Sequence, residues 1–150
     1  MLFNKLFNKK IKKSNKIKLT DEKTVTIGRL GEDVAVEFLK KNGYTVIERN
    51  FRASHNELDI IASDKKHIVF VEVKARTYNN PDSMRYGRPA SAVTYGKRKR
   101  TLDAARQYMR THPTKGKQPR IDVIEIFFTN TSVGEKEVYK INHIVNAFGA

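Results

Sequence analysis

From Ile27 to Lys41, apolar residues recur at three- and four-residue steps: Ile27, Leu30, Val34, Ala35, Phe38 and Leu39. That period predicts a helix burying one face. Asn42-Gly43 follows as its stop, since Gly readily takes the left-handed conformation that ends a helix. Glu32 and Glu37 fall on opposite rims of the apolar stripe, each able to reach past the core edge toward a sheet. Periodicity does not choose between them. The next stretch, Tyr44 to Arg52, is rich in Thr, Val, Ile and aromatics and predicts a strand, followed by a turn at Ala53-Ser54-His55-Asn56.

Two further strands, Glu57 to Ser63 and His67 to Lys74, flank the polar Asp64-Lys65-Lys66. If Lys65 and Lys66 are the central pair of a two-residue hairpin turn, Asp64 faces His67 and Asp59 lies opposite Glu72. Alternation then puts Glu57, Asp59, Glu72 and Lys74 on one face, with Leu58, Ile60, Val71 and Val73 on the other. A three-residue turn would slip the register by one and break the pairing.

From Ala75 to Ala92 the pattern is that of a long loop, carrying Arg76, Arg85 and Arg88 with Tyr78 and Tyr86. A second helix is predicted from about Thr94 to Thr111, with Leu102, Ala105 and Met109 inward and Lys97-Arg98-Lys99-Arg100 at its beginning. Cations there oppose the helix dipole, a local penalty that phosphate binding would offset. Pro113 to Pro119 reads as a linker, Ile121 to Phe128 as a buried strand and Val138 to Ile144 as a last strand. The fold class is therefore α/β, a central mixed sheet flanked by helices. A single domain over 23–150 follows a basic tail over 1–22.

Charge sharpens this picture. The 150 residues carry a net charge of +14. Lys5, Lys9, Lys10, Lys12, Lys13, Lys16 and Lys18 precede the first acid, Asp21. Removing those seven from 30 basic residues leaves 23 against 16 acidic ones, so the body stays basic without its tail. That is the footprint of a phosphate-backbone binder. In the tail, Leu2, Phe3, Leu6, Phe7 and Ile11 fall at helical spacing. An amphipathic helix on an anionic membrane surface or nucleic acid competes there with a disordered basic arm. The absence of cysteine excludes thiolate catalysis and Cys-ligated metal. No apolar run is long enough to span a bilayer and the first residues lack a secretory pattern, so the expected address is the cytoplasm.

The hairpin holds the chemistry. Two carboxylates about 5 Å apart repel by roughly 3 kcal/mol at an effective dielectric of about 20, or one stays protonated. A divalent cation with hard oxygen ligands removes that penalty. It would also polarise a phosphoryl oxygen and activate water. Lys74, two residues from Glu72, is placed to orient that water or offset charge on the phosphate. The competing interpretation is a merely charged outer face, with Glu57 opposite Lys74 as a cross-strand ion pair. Against it, Ile68-Val69-Phe70-Val71 reads as a core strand that Glu72 and Lys74 terminate. His55 beside the acidic strand is a base or ligand candidate against a plain surface role, while His67, His112 and His143 lack metal-ligand spacing. Tyr78 and Tyr86 are candidates to stack on exposed bases, or else pack.

An acid on one strand followed by Glu-x-Lys on the next matches the PD-(D/E)xK nuclease pattern. The longer string Asn56-Glu57-Leu58-Asp59-Ile60-Ile61 … Val69-Phe70-Val71-Glu72-Val73-Lys74-Ala75-Arg76 resembles the YraN-like family of uncharacterised bacterial proteins. Gly28-Arg29-Leu30-Gly31-Glu32, Ala92-Val93-Thr94 with Lys97, and Arg120-Ile121-Asp122-Val123 match the same family. The resemblance implies a restriction-endonuclease-like fold related to Holliday-junction resolvases. It implies Asp59 and Glu72 as metal ligands, Lys74 as the catalytic lysine, and Glu32 rather than Glu37 as the acid completing the metal site. Asn56 stands where the family usually has Gly, and Ala75 where Thr is common.

The resulting expectation is a Mg²⁺- or Mn²⁺-dependent nuclease on nucleic acid, DNA before RNA and branched or structured DNA in particular. A homodimer would bring two sites to two strands. Arg76, Arg85, Arg88, Lys97, Arg98 and Arg100 are the expected phosphate contacts, giving affinity without sequence specificity. The alternative is a nucleic-acid-binding protein that retains the fold without catalysis.

Overall fold

The computed structural model describes residues 27–78, 94–132 and 134–148. The basic tail, with its expected helix, and the loop residues Arg85, Tyr86 and Arg88 lie outside them. The apolar stripe forms helix α1, Ile27–Lys41, with Leu30, Val34, Ala35, Phe38 and Leu39 buried. It ends where the pattern predicts. Gly43 takes a φ of +85°, and the Tyr44 amide donates to Leu39 O at 3.0 Å.

Strands β1 (Thr45–Ala53), β2 (Asn56–Ser63), β3 (His67–Tyr78), β4 (Gln118–Asn130) and β5 (Lys136–Ile144) form one sheet in that order. The β3–β4 pair is parallel and the others antiparallel. This is the mixed sheet expected, with its parallel crossover made by helix α2, Tyr95–Thr111. The helices cover opposite faces. Helix α1 packs on Ile60, Ala62, Val69, Val71, Ile124 and Ile126, whereas Ala104, Ala105 and Tyr108 of α2 pack on Phe51, Leu58, Ile61, Phe70 and Ile121.

Several boundaries differ from expectation. β3 runs on to Tyr78 because β4 accompanies it as far as Thr129, so Arg76 and Tyr78 belong to a strand and not to a loop. Tyr78 packs near Phe127, with ring centroids 5.7 Å apart. The expected linker gives its last two residues, Gln118 and Pro119, to β4. The inward stripe of α2 is rotated by about one residue. Thr101, Ala104, Ala105 and Tyr108 are buried, while Leu102 and Met109 lie at the edge of the core. A polar residue is tolerated there because the Thr101 hydroxyl donates to Lys97 O at 3.0 Å.

A polar clamp ties the start of β4 to its surroundings. Asp122 is fully buried. It accepts from Arg120 Nε at 2.9 Å and Nη2 at 2.8 Å and from the Asn146 amide at 3.0 Å, and lies 2.7 Å from His143 Nε2. Burial pushes its carboxyl up, but the bonds from His143, Arg120 and Asn146 more than offset this and hold it below the usual range. Arg120 Nη2 also donates to the Tyr44 hydroxyl at 2.9 Å, and Nη1 lies 3.4 Å from Asp64 at the hairpin turn. Among the described residues, no helix is long and apolar enough to cross a membrane.

Close approach of α1 to β3 rests on Gly31, where an added Cβ would lie 2.6 Å from the Cβ of Ala75. Gly31→Ala should therefore lower stability by roughly 1–3 kcal/mol through overpacking. Gly28→Ala, which meets nothing within 4 Å, should be neutral or slightly stabilising. Urea denaturation of the two variants beside the wild type measures both.

Candidate metal and nucleic-acid site

The hairpin turn has two central residues. The Asp64 amide donates to His67 O at 3.1 Å, and Asp64 Oδ1 accepts from the amides of Lys66 and His67 at 2.8 and 2.7 Å. Pairing runs from Ser63↔Ile68 to Ile60↔Val71, the register expected, and stops one pair short of Asp59 and Glu72. There the backbone pairing ends and a side chain takes over. Asp59 Oδ2 accepts from the Val73 amide at 2.8 Å, which fixes the carboxylate at the edge of β3.

The expected sharing of faces holds for β3 and fails for β2. Ile60 serves the α1 side but Leu58 serves the α2 side, although residues two apart on a regular strand share a face. The partner strand makes the same change between Arg49, which reaches Asp33 of α1 at 2.7 Å, and Phe51, which packs on Tyr108 of α2. Asn50 between them has a φ of +52°. Asp59 therefore lies where both strands twist. Glu57 is carried away with that twist and sits 3.8 Å from Arg52, so the cross-strand pair with Lys74 is not formed.

On β3, Val71 and Val73 pack toward α1, which leaves Glu72 and Lys74 on the α2 face. Glu72 is buried, and its Oε1 is ion-paired with Lys97 Nζ. Lys97 is delivered by the first turn of α2, whose N-cap Thr94 accepts from the Lys97 amide at 3.3 Å. Asp59 has its carboxyl raised to about 7, by burial first and then by the charge of Glu72, against the bond from Val73 and the attraction of Lys97. Burial, with Lys97 and Arg76 nearby, pulls Lys74 below the usual lysine range, while Glu72 and Asp59 oppose the shift. Asp59, Glu72, Lys74 and Lys97 thus form one electrostatic unit.

Glu32 stands at its margin. It lies 3.7 Å from Arg49, and the Asn50 side chain, with its amide turned to donate, bridges Glu32 at 3.3 Å and Glu57 at 3.2 Å. Burial raises its pKa, and its charge adds to the upward push on Asp59. Among the described residues, no three His, Asp or Glu side chains are grouped to hold a metal ion, so Glu32 does not close a three-acid cluster with Asp59 and Glu72. Glu37 lies on the opposite rim, exposed and 3.7 Å from Lys40. His55 is exposed in its turn. Arg76 is exposed on β3 beyond Lys74, and Lys99 and Arg100 are exposed on α2. Arg98 places its guanidinium 5.6 Å from the Phe148 ring centroid.

One acid escaped the sequence reading. Glu125 pairs with Lys74 across the parallel strands and faces α2, since Ile124 and Ile126 face α1. It is only 3% exposed; Oε1 accepts from Asn142 at 2.8 Å, and Oε2 is buried without a hydrogen-bond partner. An acid within the apolar run Ile121 to Phe128 was the available signal.

The profile of the Uncharacterised protein family UPF0102 matches residues 31–126. A UPF0102 protein of Caldanaerobacter subterraneus is 39% identical over 123 residues, covering 82% of this chain and 94% of its own. One from Chlorobium phaeobacteroides is 40% identical over 122 residues, covering 81% and 93%. One from Clostridium perfringens is 39% identical over 123 residues, covering 82% and 93%. Among solved structures, Pyrococcus furiosus SfsA in complex with Ca²⁺ aligns over 75% of this chain and 61% of its own, at 14% identity and a TM-score of 0.38.

A carboxyl raised from 3.8 to about 7 destabilises the fold once ionised. Between those values the folded chain holds a proton that the unfolded chain has released, so this contribution to stability is lost as pH rises through the window. Asp59→Asn keeps an acceptor for the Val73 amide and removes the charge. In the presence of a chelator it should raise stability at pH 8 by on the order of 2 kcal/mol, with little change at pH 4. Urea denaturation at the two pH values reads the difference.

Proposed function

The chain belongs to the UPF0102 family, and for this member we propose a divalent-cation-dependent nuclease that hydrolyses phosphodiester bonds at the Asp59–Glu72–Lys74 face. The observation that supports this reading most directly is two carboxylates brought together in a partly buried place. Asp59 is raised to about 7 beside buried Glu72, and both are hard oxygen donors. Such a pair fits Mg²⁺ or Mn²⁺, which are commonly held by one or two carboxylates and complete their shells with water and substrate phosphate. Asp59 and Glu72 would be the ligands, with Glu32 adding negative charge at the rim. When bound, the cation would polarise the phosphoryl oxygen and lower the pKa of its water.

The chain's own residues supply the rest. Asp59 is oriented by the Val73 amide and needs little reorganisation to act as a ligand. Lys74, on the same face as Glu72 and depressed by burial, can orient the attacking water and offset charge developing on the phosphate. Arg76 is exposed beyond Lys74 and acts on its charge, and Lys99 and Arg100 are exposed near the start of α2. Contacts from such residues to the backbone confer affinity and salt dependence without reading bases, which suits recognition of DNA by shape. The related fold proposal is a restriction-endonuclease-like core.

The test is cleavage of duplex, flap, four-way-junction and single-stranded DNA by the full chain with Mg²⁺ or Mn²⁺. Cleavage by the wild type should be abolished by a chelator and reduced roughly 100-fold or more by Asp59→Ala, Glu72→Gln or Lys74→Ala. Activity that survives in these variants would refute the assignment. Binding without cleavage on any substrate would favour a nucleic-acid-binding protein that keeps the fold without the reaction.

A further inference from the structure

We propose that Lys97 is a built-in counter-ion of the metal site, paired with Glu72 when no cation is bound and transferred to a substrate phosphate when one binds. This rests on the nuclease reading and goes beyond it by coupling the metal and nucleic acid through one side chain. Lys97 lies half-buried one turn before Thr101, the first buried residue of α2, while Arg98, Lys99 and Arg100 beside it are exposed. Its ammonium meets the buried carboxylate that would ligate the cation. A cation at Glu72 and an ammonium on the same oxygen repel, so one displaces the other. Thr94 anchors the Lys97 backbone at the N-cap, so only the flexible side chain has to move.

The displaced ammonium stays at the start of α2. There, backbone amides and the positive end of the helix dipole already favour a phosphate, while an unpaired cation is disfavoured. Release from Glu72 is therefore most favourable when a phosphate receives Lys97. Vacating Glu72 for the phosphate in turn favours the cation. Metal and nucleic acid should bind cooperatively, by the same factor in either order.

Two readouts other than cleavage test this. Calorimetry gives the Mn²⁺ affinity of wild type, Lys97→Met and Lys97→Arg without DNA. Fluorescence anisotropy gives the affinity for a short phosphorothioate duplex with and without Mn²⁺ at constant ionic strength. In the wild type, Mn²⁺ should tighten duplex binding by roughly 10-fold, within the usual range for coupled sites. Lys97→Met should bind Mn²⁺ alone about that much more tightly and lose the coupling, and Lys97→Arg should keep both wild-type properties. Unchanged Mn²⁺ affinity in Lys97→Met, or full coupling retained there, overturns the proposal. The wild-type arm requires no variant, and a duplex affinity indifferent to Mn²⁺ overturns it alone. Asp59→Asn separates the two levels. If it leaves Mn²⁺ binding intact, the metal site itself is wrong; if it weakens Mn²⁺ binding while Lys97→Met behaves as wild type, only the exchange fails.

Discussion

A carboxylate with almost no exposure to water needs a partner, and at Glu72 that partner is Lys97. The interaction joins β3 to the first turn of α2, the helix that carries the chain across the sheet between its two parallel strands. It brings the charge of Lys97 to bear on Asp59 and Lys74 as well. A buried ion pair is a poor source of net stability. Its place beside a second carboxylate, itself raised to about 7, suits a site that exchanges one cation for another.

The fold prepares that face by an irregularity. Regular alternation would have sent Leu58 and Ile60 to one side of the sheet. Instead β1 and β2 turn over at Asn50 and Asp59, and the side chain of Asp59 takes the Val73 amide where the pairing of β2 and β3 stops. The acid stands at the mouth of a fork between strands, with oxygens on offer and a fixed orientation. On the other side of β3, the contact of Gly31 with Ala75 lets α1 lie close and brings Glu32 to the rim, where Arg49 and Asn50 engage it.

Much of this was legible in the residues because it depends on local rules. Helix α1 follows from its apolar period and the Asn42-Gly43 stop, and the β2–β3 register follows from a two-residue turn, so the approach of Asp59 and Glu72, close enough to feel each other's charge, could be read in advance. The turnover at Asn50 could not, since a left-handed Asn within a strand looks like any other polar position. The length of β3 was hidden because its last residues are held by a parallel partner 51 positions later, Tyr78 by Thr129. Lys97 stood out through its place after Ala92-Val93-Thr94, but it was grouped with its three basic neighbours as a phosphate contact and not as the partner of Glu72. The spacing Lys97, Thr101, Ala104, Ala105, Tyr108 marks it as inward, but Leu102 and Met109 compete as a more apolar stripe. Glu125 was passed over inside an apolar strand. The reaction depends on chemistry at the face and not on pattern.

The central claim is that a divalent cation binds between Asp59 and Glu72, and paramagnetic broadening in an amide-resolved NMR spectrum tests it most directly. Substoichiometric Mn²⁺ added to the full chain should first erase the amide signals of Asp59, Glu72 and Val73, with those of β5 and the far end of α2 retained. Broadening that begins elsewhere, or spreads evenly over the acidic surface while those three signals persist, would contradict the account.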